Sequence, residues 1–99
     1  MKLCIVVGRA DSSVKHVGLD GAKLLVVQEI DGSLKPHGDF ILTVDTQGAG
    51  IGEVVAVITG SAATRSVGKG DVPYDAAIVA IMDHLFVNGS QIYNKNQEA

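Results

Sequence analysis

An all-β fold, arranged as a small barrel, is what this 99-residue sequence predicts, on three observations. Its apolar residues come in short runs rich in Val, Ile and Leu, each bounded by Gly, Asp, Ser or Pro. No connecting segment holds ten residues of 3.6-residue apolar spacing, so almost no helix is expected. Several runs are apolar on both faces, a pattern that usually belongs to sheets covered by helices on both sides. With no helices to supply that cover, a barrel buries one of the two faces inside itself.

The elements follow in order. Strands are expected at residues 3–7 (LCIVV), 23–30 (KLLVVQEI), 40–44 (FILTV), 53–59 (EVVAVIT) and 76–83 (AAIVAIMD). A final pair, 84–87 and 90–93, flanks Asn88-Gly89. Both turn positions of an Asn-Gly pair tolerate positive φ, so this stretch reads as a hairpin. The single helical candidate is one turn at 61–65, with Ser61 as its N-cap. Residues 1–93 form one domain, and 94–99 (NKNQEA) read as a frayed tail.

Composition removes several function classes. The chain is 46% apolar and 19% charged, with a net charge of -3. A mildly acidic surface disfavours duplex DNA and anionic membranes as partners. The longest apolar runs are far short of the roughly 20 residues a transmembrane helix needs. The start MKLCIVVGRAD is too short for a signal-peptide core of about 7–15 apolar residues. The single cysteine, Cys4, has no internal disulfide partner. A soluble, intracellular protein is expected.

The stretch TQGAGIGEVV at 46–55 decides between enzyme and scaffold. Gly48, Gly50 and Gly52 give G-x-G-x-G, whereas a dinucleotide loop needs G-x-G-x-x-G ahead of a helix. A β-branched run follows instead, and the Gly-Lys-Ser/Thr of a Walker loop is absent. The glycines therefore serve a turn between strands, through positive φ or through close approach to another chain.

Other chemistry-bearing residues are scattered. His16, His37 and His84 show no metal-ligand spacing. Cys4 lies among valines, away from any base that would activate it. Ser12, Ser13, His16 and Asp20 include triad residue types in one loop, without a nucleophile elbow. Asp39, Asp45, Asp75 and Asp83 stand at strand ends, where aspartates commonly bond turn amides. Lys15, His16, Lys23, Arg65 and Lys69 form no basic run, and the four aromatics give no stacking platform for single strands. A binding module or a small enzyme on the 11–20 loop remains as an alternative.

The two-faced strands carry a further expectation. One face of the run 23–30 takes Leu24 and Val26 and the other Leu25 and Val27, so a barrel hides one pair and leaves the other outside, and 54–58 and 77–82 behave alike. Each bare side chain forgoes roughly 1.5–3 kcal/mol of burial. Another copy of the same chain is the economical cover, so a homo-oligomer is expected.

The chain resembles the EutN/CcmL family, the pentameric vertex proteins of bacterial microcompartment shells. The resemblance rests on MKL-x-x-V-x-G at 1–8, KLLVV at 23–27, D-x-x-GAG-x-GE-x-V at 45–55, GSAA at 60–63, and P-x-DAA-[IV]-V-x-I-x-D at 73–83. It covers about residues 1–93. One departure is visible: Thr64 stands directly after the Ser-Ala motif, where the family usually has Arg, and Arg65 comes next.

The resemblance implies a closed five-stranded OB-like barrel with a short helical turn and a C-terminal hairpin, assembled as a cyclic pentamer. It implies a structural, non-enzymatic role at the corners of a cytoplasmic shell that encloses metabolic enzymes. Partners would be four further copies and the hexameric shell proteins, with no nucleic acid, membrane, cofactor or metal. Gly48, Ala49 and Gly50 would approach neighbouring subunits near the ring axis, and Gly60, Ser61, Ala62 and Ala63 would lie at the subunit contact. Carboxysome, ethanolamine, propanediol and glycyl-radical compartments share these motifs. The alternative is an OB-like module binding a ligand or single-stranded nucleic acid.

Overall fold

A computed structural model describes residues 1–15, 17–19, 21–63 and 75–96. Strands β1 (Lys2–Ala10), β2 (Lys23–Ile30), β3 (Pro36–Asp45), β4 (Val54–Thr59) and β5 (Ala76–Ile81) close into a barrel in the order β1-β2-β3-β5-β4. Strands β6 (His84–Val87) and β7 (Ser90–Asn94) pair only with each other. The all-β class, the closed five-stranded barrel and the terminal hairpin are as the sequence predicts.

Every strand pairing in the barrel is antiparallel except β3 with β5, where Val44 faces Ala77 and Asp45 faces Ile78. Cys4, Val6, Leu25, Val27, Val55, Val57, Ala76 and Ile78 fill the interior. They alternate with a second apolar set outside that cluster: Leu3 pairs with Ala56, Leu24 with Val44 and Val26 with Leu42. Of these, Ala56 and Val44 are buried while Leu3 and Leu42 are exposed. Bulges at Val7, at 38–40 of β3 and at Val79 interrupt the ladders, and such irregularities bend strands enough to close a small barrel.

Four elements differ from expectation. β1 and β3 are longer: β3 begins at Pro36, because Pro36 and His37 pair with Ile30 and Glu29 in an exposed extension of the β2–β3 arm. Polar residues, a proline and Gly38 hide this extension from any apolar-run criterion. A 3-10 turn at Val17–Leu19 lies in a segment read as loop. At 61–63 the helical turn is present, but Ser61 is already inside it, so the cap position falls on Gly60, whose φ is 73°. Thr64 and Arg65, the rest of that expected turn, lie outside the described residues, as do His16 and Asp20.

The hairpin turn is as expected, with Asn88 at φ 52° and Gly89 at φ 79°. β7 runs one residue into the segment assigned to the tail, since Asn94 pairs with His84. Lys95 then donates its N–H to the Asp83 carbonyl at 2.8 Å.

Candidate subunit-interface loops

The loop at 46–53 carries the glycines and is pinned at both ends by a carboxylate. Asp45, the last residue of β3, has a side chain fully shielded from solvent. Its Oδ1 accepts the Gln47 N–H at 2.9 Å and its Oδ2 the Ala49 N–H at 2.8 Å. Lys23, opposite Asp45 on β2, reaches the same Oδ2 at 3.5 Å and donates to the Ala49 carbonyl at 3.0 Å. At the far end, Glu53 Oε1 accepts the Gly50 N–H at 2.5 Å, and the Glu53 N–H donates back to the Gly50 carbonyl at 3.1 Å. Gly52 N–H donates to the Val6 carbonyl at 2.8 Å, which lays the loop against β1. Asp45 thus bonds turn amides, as expected of a strand-end aspartate.

Within this loop the residue types serve different needs. Gly48 has φ 80° and nothing within 4 Å of an added Cβ, so backbone conformation alone demands glycine there. Gly50 lacks positive φ, and an added Cβ would meet Glu53 Oε1 at 3.2 Å. Ala49 is 2% exposed and belongs to the core cluster with Val6 and Leu25, so its methyl points into its own barrel. Ile51 stands out from the loop at 70% exposure.

The second small-residue segment leaves β4 at its other end. Gly60 N–H donates to the Asp75 carbonyl at 2.7 Å, and Ala63 N–H to the Gly60 carbonyl at 3.0 Å. Gly60, Ser61 and Ala62 are exposed, while Ala63 is buried in its own chain. β4 is 6 residues long, about 20 Å of extended chain, so one subunit does not bring the two segments together.

The barrel also carries exposed apolar side chains on its outer surface. Phe40 is 73%, Leu42 53% and Leu3 40% exposed. The sequence marked the two-faced strands but gave no sign that Phe40 and Leu42 would be the barest. Lys23, Glu53 and Lys95 were likewise missed as loop anchors, because Lys23–Asp45 depends on strand register and Glu53–Lys95 on where the C-terminal hairpin comes to lie. Cys4 is buried beside Val6, and burial pushes its thiol pKa above the ordinary value. His37 and His84 are exposed. No metal-ligating cluster occurs among the described residues.

The profile of the family described as ethanolamine utilisation protein EutN/carboxysome matches residues 1–83. The carboxysome shell vertex protein CcmL of Synechocystis is 40% identical over 98 residues, covering 99% of this chain and 98% of its own. The bacterial microcompartment shell vertex protein GrpN of Rhodospirillum rubrum is 46% identical over 83 residues, covering 84% and 93%. The solved GrpN structure, described as a pentameric microcompartment shell protein, superposes with a TM-score of 0.79 over 88% of this chain and all of its own. The structure of Gloeobacter violaceus CcmL superposes with a TM-score of 0.91 at 33% identity, over 98% of this chain and all of its own. In sequence and in barrel topology alike, the chain belongs to the EutN/CcmL family.

Proposed function

We propose that this chain is a vertex subunit of a bacterial microcompartment shell: five copies close a ring that occupies a shell corner among hexameric tiles. Its role is structural, and it performs no catalysis of its own. The observation that carries this reading is the barrel's apolar exterior, barest at Leu3, Phe40 and Leu42, in a chain related to a pentameric shell protein. A copy covering these side chains would return roughly 1.5–3 kcal/mol for each one fully buried.

Ring closure fits the placement of the small-residue segments. Head-to-tail contacts join one patch of a subunit to a different patch of its neighbour. The Gly48–Gly50 side of the barrel and the Gly60-Ser61-Ala62 segment leave opposite ends of β4, as such a contact requires. In this reading Gly48 and Gly50 flank the ring axis, and Ala49 and Ala63 support their own subunit. Gly60, Ser61 and Ala62 meet the neighbour.

Native mass spectrometry of the purified full chain tests the proposal. A species of five times the chain mass is expected, and a monomer at high concentration would sink it. Co-expression with hexameric shell proteins should yield closed particles, and omission of this chain should leave open sheets or particles lacking corners.

A further inference from the structure

The two ends of the 46–53 loop are held by the same device, a carboxylate gripped by a lysine, but the two lysines come from different places. Asp45 is gripped by Lys23, a residue of the barrel strand β2, and the Asp45 side chain is fully buried. Glu53 is gripped by Lys95 at 3.1 Å, and Lys95 follows the β6–β7 hairpin. That second pair is more open, with side-chain exposures of 37% for Lys95 and 22% for Glu53.

The hairpin is a loosely held element. A two-stranded hairpin is marginal in water by itself. Its outer face exposes Phe86 beside His84, with ring centroids 6.1 Å apart. Among the described residues its polar ties to the barrel gather at one point, Val54 N–H on the Tyr93 hydroxyl at a long 3.5 Å and Lys95 on Glu53. Beside them Met82, just ahead of the hairpin, donates its N–H to the Val54 carbonyl at 2.9 Å. Glu53 sits at that point. Its Oε1 holds Gly50 while its Oε2 holds Lys95.

We propose that Glu53 couples the C-terminal hairpin to the second half of the glycine loop. The first half, through Ala49, is fixed by the barrel through Asp45 and Lys23. The second half is tied to β1 by the backbone bonds of Gly52 and Glu53 to Val6, and its Gly50 amide rests on the Glu53 carboxylate, whose position the hairpin steadies through Lys95. A partner that displaces the hairpin therefore loosens Gly50 and leaves Ala49 where it is. The coupling exists within one chain and does not depend on the ring; its effect at a ring axis rests on the vertex reading.

Amide hydrogen exchange on the intact chain tests this, with native mass spectrometry of the same samples reporting the ring separately. In Lys95→Met, exchange at Gly50 and Ile51 should rise about two- to five-fold, the scale of a partly screened ion pair, while Gln47 and Ala49 stay at the wild-type rate. Lys95→Arg should restore protection. Glu53→Gln keeps an oxygen for the Gly50 amide but loses the charge, so the hairpin amides should quicken more than Gly50. Unchanged exchange at Gly50 in Lys95→Met, or a uniform rise across β1–β5, overturns the proposal.

Discussion

Gly48 and Gly50 sit two positions apart and answer to different constraints. At Gly48 the positive φ makes Gly48→Ala cost about 1–2 kcal/mol of fold stability, read as a lower denaturant midpoint with the ring still formed. At Gly50 the backbone is ordinary, but an added Cβ meets Glu53 Oε1 at 3.2 Å, so Gly50→Ala must push that carboxylate aside and should lower the midpoint less than Gly48→Ala does. Gly50→Val separates the two roles of the loop: loss of the five-fold species from a folded chain supports close packing between subunits, and an intact ring with closed shells refutes it. Asp45→Ala strips acceptors from the Gln47 and Ala49 amides, and should cost about 2–3 kcal/mol in denaturant unfolding. The raised thiol pKa of Cys4 means that the native chain holds its proton more tightly than the unfolded one. Stability contributed by Cys4 is thus intact at neutral pH and declines as pH rises through the thiol range. Native Cys4 should resist alkylation at pH 8 and react once unfolded. At this scale the sequence was legible where one residue type answers a local need, as with Asp45 and its turn amides or Cys4 among valines. It grouped Ala49 with Gly48 and Gly50 near the ring axis and carried no sign of its inward methyl, which depends on the path of the whole loop.

The strands were legible because β-branched runs between turn residues leave few other choices, and Asn88-Gly89 announced its hairpin. The bulges at Val7, at 38–40 and at Val79 were not, since a bulge is set by closure of the barrel and not by its own residue. The β2–β3 arm shows how a polar connector becomes an element. Asp31 accepts the N–H groups of Ser33 at 2.8 Å and Lys35 at 3.1 Å, and those bonds hold its carboxyl pKa below the ordinary value. A carboxylate with a depressed folded-state pKa supports the arm above the usual carboxylate pKa of about 3.9, and that support fades as pH falls through the folded value. Exchange at the Ser33 and Lys35 amides should therefore speed up, beyond its intrinsic pH trend, only below about pH 4. The opposite sign applies to Lys95, whose pKa is raised by its hydrogen bond to Glu53. Its hold on the hairpin is complete below the ordinary lysine pKa and is lost as pH climbs through the folded-state value.

At the scale of the molecule, the prediction concerns what covers the outer wall. Replacing Phe40 and Leu42 together by Ser should leave the barrel folded, because neither lies in the interior cluster, and should shift the five-fold species toward monomer. A pentamer undiminished at low micromolar concentration would place the contact elsewhere. The closing pair of the barrel also governs how a chain reaches this state. β1, β2 and β3 pair as a meander while synthesis proceeds, yet the second edge of β1 waits for β4, and that of β3 waits for β5. Until Ile78 has emerged to lie beside Asp45, the nascent sheet has two raw edges and grease on both sides. Such distant pairings fold slowly, on the order of milliseconds to seconds. Yield in the cell is therefore a race between closure of each barrel and sticking of half-made ones, and production in step with the other shell components favours the former.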